Sequence, residues 1–195
     1  MDGEKEEKSS LKYNLTLYLH DLFYILAAFL VVFLLLFRVV IVSGPSMLDT
    51  LHDGDFLFLV GNLLYREPKQ GDVVVASKDS FEDGKPIIKR VIATEGQTVD
   101  IDFEKGVVYV DGTALPEPYT RTATTLWEGT EFPLTVEEGM IFVLGDNRNV
   151  SKDSRDPEIG LIDRREVLGK AVFCFFPGRE KGELGFDFHR IGGIS

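Results

Sequence analysis

One long apolar run dominates the hydropathy pattern near the N-terminus. Every residue from 22 to 37 is apolar, and after Arg38 the run continues to Val42. About 20 apolar residues in an α-helix are enough to cross the hydrocarbon core of a bilayer. The run is longer than the apolar core of a secretory signal peptide, and no small-x-small cleavage site follows it. We therefore predict a retained membrane anchor over residues 15–42.

The residues that flank this run predict the orientation of the anchor. Residues 1–14 are polar and charged, which predicts a solvated tail, and Lys5, Lys8 and Lys12 lie within it. Lysines close to a span favour the cytoplasmic side of the membrane. We therefore expect a single-pass protein of the cell membrane with a cytoplasmic N-terminus and an extracytoplasmic domain.

Beyond residue 42 the pattern changes to short apolar or alternating runs, which are typical of β-strands. The predicted strands are 55–60, 72–76, 87–93, 98–101, 107–110, 140–144 and 170–176. Turn dipeptides such as Asp53-Gly54 and Asp111-Gly112 separate them, and the second predicts a hairpin between 107–110 and 113–115. We predict that residues 43–195 form one mainly β domain, in which 103–139 make a smaller β-hairpin excursion.

Composition excludes several functions. The net charge is −11 and the chain has no basic tract, so nucleic acid is not an expected partner. The single cysteine, Cys174, cannot form an internal disulfide, and with three scattered histidines it does not provide the ligand spacing of a zinc site. No glycine-rich phosphate loop is present. We expect neither a metal nor a cofactor.

The first candidate for chemistry is a serine that follows the apolar run. Ser46 lies four residues after Val42, at most about 13 Å from the predicted membrane boundary. A turn serine in a Gly-Pro connection and a nucleophile both fit this segment. A serine nucleophile needs a base, and His52 is the only histidine close in sequence. A Ser–His–Asp triad stays open, although no carboxylate partner is evident.

Lys89 is the stronger candidate for the base. It lies in the strand-like run 86–93, where alternation places it on one apolar face with Ile87, Val91 and Ala93. Burial among apolar side chains lowers the pKa of a lysine and supplies a neutral amine. The alternative is an edge strand from which Lys89 reaches solvent.

A polar loop at 145–156, which we call the late loop, follows the predicted strand 140–144. Loops of this kind often only turn the chain. This loop also contains two aspartates and two arginines that are able to form ion pairs and hold it rigid: Asp146, Arg148, Asp153 and Arg155. A hydroxyl in the loop, such as that of Ser151, is able to hydrogen-bond a neutral Lys89.

Together, these three segments resemble the motif set of type I signal peptidases. Residues 46–51 match the family pattern S-M-x-P-T-L, except that Asp49 stands at the proline position. Lys89-Arg90 match the K-R of the strand that carries the general base, and Gly145–Arg155 match G-D-N-R-x-x-S-x-D-S-R in full. The resemblance covers roughly residues 38–176.

The resemblance implies a membrane-bound serine endopeptidase of the Gram-positive-like, single-anchor form. Ser46 is then the nucleophile and Lys89 the general base. Ser151 is expected to orient Lys89, and Asp153 and Arg148 are expected to support the late loop as a pair. The expected fold is the β-rich catalytic domain of signal peptidases, preceded by one transmembrane helix.

The resemblance also implies a substrate site. The backbone N–H of Ser46 is expected to hold the oxyanion, with Gly44 at a position where some relatives carry a hydroxyl donor. The expected pocket walls, for which core packing is an equal explanation, are Met47, Leu51, Ile87 and Ile88. The expected partners are the lipid bilayer and preprotein signal peptides, cut after small-x-small sites, and the expected state is a monomer.

Two alternatives remain at this point. One is a Ser–Lys autoprotease of the repressor-cleaving kind, which shares a related β-rich core but normally carries a soluble or DNA-binding N-terminal arm. The other is a non-catalytic relative that acts as a membrane-tethered binding module. The apolar span argues against the first, and the retention of Ser46, Lys89 and the full late motif argues against the second.

Overall fold

The computed structural model describes residues 2–78, 81, 84–178 and 187–194. The chain divides into two compact units, Met1–Leu36 and Phe37–Ser195.

The first unit contains one helix, α1 (Asp2–Leu36). Its segment Tyr13–Leu36 is long and apolar enough to cross a membrane. The helix ends at Leu36, so the predicted end of the span at residue 42 is wrong: Phe37–Ile41 form a strand. Val39, Val40 and Ile41 are β-branched, and such side chains favour a strand once a partner strand is available. The segment predicted as a solvated tail is the beginning of α1 from Asp2 onward.

The second unit is built from twelve described strands. They are β1 (Phe37–Ile41), β2 (Phe56–Gly61), β3 (Val73–Ala76), β4 (Ile87–Thr94), β5 (Thr98–Asp102), β6 (Val107–Val110), β7 (Thr113–Ala114), β8 (Leu134–Thr135), β9 (Met140–Leu144), β10 (Ile162–Asp163), β11 (Val167–Phe176) and β12 (Gly192–Gly193). The predicted mainly β fold after one N-terminal helix is confirmed.

The main sheet is antiparallel and has the order β1-β2-β11-β3-β4-β9-β10, with β12 paired to β11. β4 lies in its middle, between β3 and β9. All residues of β4 from 89 to 93 are buried, so side chains on both faces of the strand are covered. The side chains of this strand therefore meet two different environments, one on each face.

A smaller four-stranded sheet has the order β7-β6-β5-β8. Its β6–β7 pair is the hairpin predicted at Asp111-Gly112. The sheet begins at Thr98, before the predicted start of the excursion at residue 103, because β5 pairs with both β6 and β8. Between β7 and β8 the chain runs without regular structure from residue 115 to 133. We call this segment, 115–133, the excursion loop.

Three apolar clusters hold the second unit together. One lies beneath the Ser46 turn and includes Met47 and Leu51. The second lies between β3, β4 and β9 and includes Val74 and Val91. The third joins the small sheet to β4 and β9. The first cluster contains Met47, next to Ser46, and the second contains Val91, two residues after Lys89. Packed strands therefore fix the positions of Ser46 and Lys89.

Candidate active site

The turn that carries Ser46 is held by hydrogen bonds from two other segments. Gly44 has a φ of +92°, a conformation that favours glycine, and its N–H donates to Asp53 Oδ1 at 2.8 Å. From the late loop, Asn147 donates its backbone N–H to the Ser46 carbonyl at 3.0 Å and its side-chain amide to the Pro45 carbonyl at 3.0 Å. The backbone of Ser46 is therefore fixed on both sides.

Lys89 lies on β4, directly opposite Val74 of β3. Its side chain is buried, and its Nζ lies 2.9 Å from Ser46 Oγ. The strand is in the middle of the sheet, so the alternative of an edge strand with Lys89 in solvent is wrong. The fold brings together two groups that are 43 residues apart in the chain.

Burial lowers the pKa of Lys89 from its ordinary value of 10.5 to about 8. The carboxylates of Asp153, Glu128 and Asp146 act in the opposite direction, because negative charge stabilises the ammonium form. In the part of the chain that the structure describes, Lys89 has no ion pair. Desolvation therefore dominates, and the amine becomes a usable base near neutral pH.

The predicted apolar face around Lys89 needs one correction. Ile87 and Val91 contribute to the same cluster as Val74, as expected. Ala93 instead belongs to the third cluster, because the pairing of β4 with β9 shifts register between Val91 and Ala93. A bulge of this kind sends the following side chains to the other face.

Arg90 points to the opposite face of β4, as the alternation predicts, but it is as deeply buried as Lys89. Its guanidinium binds Asp146 through two bonds of 2.9 and 2.7 Å and lies 3.9 Å from the ring centroid of Tyr119. Thr50, four residues after Ser46, also donates to Asp146, at 2.5 Å. Arg90 thus joins β4, the late loop, the turn that carries Ser46 and the excursion loop.

Ser151 is buried close to the turn that carries Ser46. Its hydroxyl donates to the Lys152 carbonyl at 3.3 Å, and no bond to Lys89 is found among the described residues. The expected bond is therefore not formed in this structure. Gly145 explains why Ser151 comes so close: a Cβ at Gly145 would lie 2.1 Å from Ser151 Oγ and 2.6 Å from the Ser46 carbonyl oxygen. Only glycine allows this approach.

The expected pair of Asp153 with Arg148 is wrong. Asp153 binds Arg155 at 2.8 and 2.9 Å, and both side chains are fully buried. Arg148 instead binds Glu117 of the excursion loop, together with Thr124 Oγ1 at 2.7 Å. The late loop is held rigid as predicted, but by a different set of partners.

A groove with a volume of about 230 Å³ opens at Ser46 and Lys89. Three of the four predicted wall residues line it: Met47, Ile87 and Ile88. Leu51 is not among its lining residues and packs in the first apolar cluster, so for Leu51 the core explanation is the one observed. Val40, Ile41 and Val42 form part of the wall, which adds β1 and the residue after it to the site.

Comparison with known proteins identifies the family. A family model described as signal peptidase, peptidase S26, matches residues 15–176. The chain belongs to this family. It is 38% identical over 153 residues to a signal peptidase I of Bacillus licheniformis, covering 74% of this chain and 80% of that protein. It is 37% identical over 155 residues to a probable signal peptidase I-1 of a Synechocystis strain, covering 74% of each.

Among solved structures, a signal peptidase I of Enterococcus faecalis V583 is 31% identical, with a TM-score of 0.44. That match covers 53% of this chain and 96% of the other. Membership of the signal peptidase family confirms the predicted resemblance and the predicted enzyme class, a serine endopeptidase of the signal peptidase I type.

Sequence analysis missed two residues of this signal peptidase, Glu117 and Glu128. Both lie in the excursion loop, within the predicted hairpin excursion 103–139. Glu117 binds the buried Arg148, and Glu128 lies 3.5 Å from Arg155. Asp146 is bound by Arg90, so the buried Arg148 needs a carboxylate from another segment, and the sequence alone did not show this pairing.

In the described part of this signal peptidase, no group of three or more histidine, cysteine, aspartate or glutamate side chains is placed to hold a metal ion. His52, the alternative base, donates its backbone N–H to Asp55 at 2.8 Å, in the loop before β2. The group within hydrogen-bond distance of Ser46 Oγ is the amine of Lys89.

Proposed function

We propose that this chain is a membrane-anchored signal peptidase that removes signal peptides from exported preproteins, with Ser46 as nucleophile and Lys89 as general base. The observation that carries the proposal is the 2.9 Å separation of Lys89 Nζ and Ser46 Oγ beside an open groove. A hydroxyl at hydrogen-bond distance from an amine loses its proton as it attacks a carbonyl carbon.

The environment of Lys89 supports its role as a base. With a pKa of about 8, roughly a tenth of the Lys89 side chains are neutral at pH 7. With the ordinary value of 10.5, the neutral fraction is only about one in three thousand. The neutral amine accepts the Ser46 proton and then delivers it to the leaving amine of the cut peptide bond.

The backbone of Ser46 supplies a donor for the oxyanion. Among the described residues, the Ser46 N–H has no hydrogen-bond acceptor, whereas its carbonyl is held by Asn147. The N–H is therefore available when negative charge develops on the substrate oxygen. Gly44 offers no side-chain donor, and its own N–H is engaged by Asp53. Its contribution to the oxyanion site is the backbone path that presents Ser46.

The groove is suited to an extended peptide with small side chains. β1 lies at one edge of the described main sheet, and its residues Val40 and Ile41 line the groove. An extended substrate adds to such an edge through backbone hydrogen bonds. Ile87 and Ile88 also line the groove, and branched side chains in a small groove favour alanine-sized residues at the cleavage site.

The helix α1 supports a membrane location. Its segment Tyr13–Leu36 meets the length and composition of a membrane span, and its large apolar side chains are exposed. We propose a single-pass protein with a cytoplasmic N-terminus and an extracytoplasmic domain, because lysines precede the span. Ser46 follows the last helical residue by only ten positions, which suits cleavage close to the membrane surface. We propose that it acts as a monomer and binds no nucleic acid.

A cleavage assay tests this function. The full-length protein in detergent is incubated with a preprotein, and the cut is mapped by mass spectrometry. We expect cleavage after a small-x-small sequence, and no cleavage by Ser46→Ala at equal folded content. Processing by Ser46→Ala at the wild-type rate would contradict the mechanism. Self-cleavage without preprotein cleavage would instead favour the autoprotease, and binding without any cleavage would favour the non-catalytic module.

A further inference from the structure

The carboxyl group of Glu128 is unusual among the carboxyl groups around the late loop. Its side chain is only 13% exposed, and its Oε2 atom is buried without a hydrogen-bond donor among the described residues. Asp153, the other carboxylate beside Arg155, has hydrogen-bond donors for both of its oxygens. Its two oxygens accept from Gly145 N and from the Arg155 guanidinium at 2.8 to 2.9 Å. A buried carboxylate oxygen that no donor satisfies is costly.

The position of Glu128 is fixed by the same arginine that holds the late loop. Arg155 Nε lies 3.5 Å from Glu128 Oε2, and Arg155 Nη1 donates to the Leu126 carbonyl at 3.0 Å. In return, the N–H of Thr130 donates to the Arg155 carbonyl at 2.9 Å. Arg155 Nη2 also donates to the Ser151 carbonyl, at 3.3 Å. The segment around Glu128 is therefore docked on the loop that borders Lys89.

We propose that Glu128 is a positioning residue of this site, which sets the charge state of the Lys89 amine from the excursion loop. The inference rests on the proposed role of Lys89 as the base. An ionised Glu128 stabilises the ammonium form of Lys89, and a protonated or neutral residue at 128 favours the free amine. Glu128 itself touches neither the substrate groove nor Ser46.

The charges around both groups support this assignment. The pKa of Glu128 is raised to about 7, first by burial and then by Asp153 and Asp156, while Arg155 and Lys152 act against the shift. Around Lys89 the other charged groups are Asp153, Asp146 and Arg155 of the late loop, and the cations Lys85 and Lys152 line the same groove. Asp153 and Asp146 each have an arginine partner at less than 3 Å. In contrast, Glu128 Oε2 accepts no hydrogen bond among the described residues, and the raised pKa of Glu128, about 7, lies close to the pKa of about 8 of Lys89.

The experiment compares pH profiles. Glu128→Gln keeps the size of the side chain and removes the negative charge, and Glu131→Gln makes the same change at an exposed position in the same loop. In full-length protein in detergent, we expect the acidic limb of kcat/KM for Glu128→Gln to move to lower pH by about half a unit or more. Glu131→Gln should leave the limb in place, and Glu128→Asp, which restores the charge, should return it toward the wild-type position.

A second measurement does not depend on catalysis. Competitive labelling of Lys89 with an amine-reactive reagent, read by mass spectrometry as a function of pH, reports the midpoint of its deprotonation directly. That midpoint should fall in Glu128→Gln and in a second neutral variant, Glu128→Ala. Folded variants whose labelling midpoints and acidic limbs match the wild type would overturn the inference. A wild-type protein that labels as expected but cleaves no preprotein would instead sink the proposed function.

Discussion

The two faces of β4 offer different partners to two neighbouring basic side chains. Lys89 and Arg90 are adjacent, and both side chains are at most 5% exposed. On one face, Lys89 has no ion pair among the described residues, and its amine lies against the Ser46 hydroxyl. On the other face, Arg90 binds Asp146 through two short bonds, with Thr50 and Tyr119 beside it.

In the proposed mechanism, one strand therefore supplies both the general base and a structural support. Burial without a paired charge penalises the ammonium form of Lys89 and makes its amine basic near neutral pH. On the other face, the Asp146 carboxylate pairs with the buried Arg90 through two bonds and also accepts from Thr50, which ties the turn that carries Ser46 to the late loop. The presence or absence of a paired carboxylate therefore distinguishes the proposed base, Lys89, from the structural cation, Arg90.

The largest effect is expected when an arginine replaces Lys89, so that both faces of β4 carry a guanidinium. Lys89→Arg keeps a positive charge and a long side chain, but a guanidinium cannot be deprotonated. We expect kcat/KM for a signal-bearing peptide to fall by about 1,000-fold or more at pH 8. The control is Lys105→Arg, an exposed lysine of the small sheet that should retain full activity. Substantial activity in Lys89→Arg would show that Lys89 is not the base.

The next largest effect, on stability, is expected on the opposite face of β4, where Asp146 binds Arg90. Asp146→Ala leaves the buried guanidinium of Arg90 without its carboxylate, which should lower the free energy of unfolding by about 3–5 kcal/mol. Denaturation can be followed by the fluorescence of Trp127, the single tryptophan. Lys105→Ala removes an exposed ion pair and should leave the unfolding midpoint unchanged within error. Equal stability of the two variants would mean that Arg90 does not depend on Asp146.

The pH dependence of stability sharpens the contrast further. Lys89 has a pKa of about 8 when folded and about 10.5 when unfolded, so both states are protonated below pH 8. Between pH 8 and 10.5 the unfolded state binds one proton more than the folded state. The free energy of unfolding therefore rises with pH over this range, by about 3 kcal/mol at most, as the cost of burying the ammonium is lost. Lys89→Met should remove this rise when the two proteins are compared by denaturation across that range. The opposite slope would mean that Lys89 is buried as an ammonium.

The smallest effect on stability is expected for Arg121, whose ion pair with Asp49 is exposed to solvent. Arg121 of the excursion loop lies 3.4 Å from Asp49, the residue that replaces the family proline, and both side chains are more than half exposed. Because solvent screens such pairs, Arg121→Ala should change the free energy of unfolding by at most about 0.5 kcal/mol. A loss as large as that of Asp146→Ala would show that the Asp49–Arg121 contact has a structural role that its exposure does not suggest.

Local sequence patterns predicted the parts of the site that depend on short segments. The period of two placed Lys89 and Arg90 on opposite faces, and the turn dipeptides placed the β6–β7 hairpin. The same patterns failed where long-range pairing intervened. Residues 37–42 were assigned to the span, but pairing with β2 makes Phe37–Ile41 a strand. The bulge that moves Ala93 depends on the register with β9, which β4 alone does not encode.

The sequence by itself determined the apolar span, the mainly β domain and the residues that carry the family resemblance, because hydropathy, alternation and motifs are properties of neighbouring positions. Only the tertiary structure decided that Ser46 and Lys89 meet, that Arg148 pairs with Glu117, and that Leu51 packs in the core instead of lining the groove. The partners in these contacts come from distant segments. Strand register and an irregular loop bring them together, and burial then fixes which charges pair and which group remains reactive.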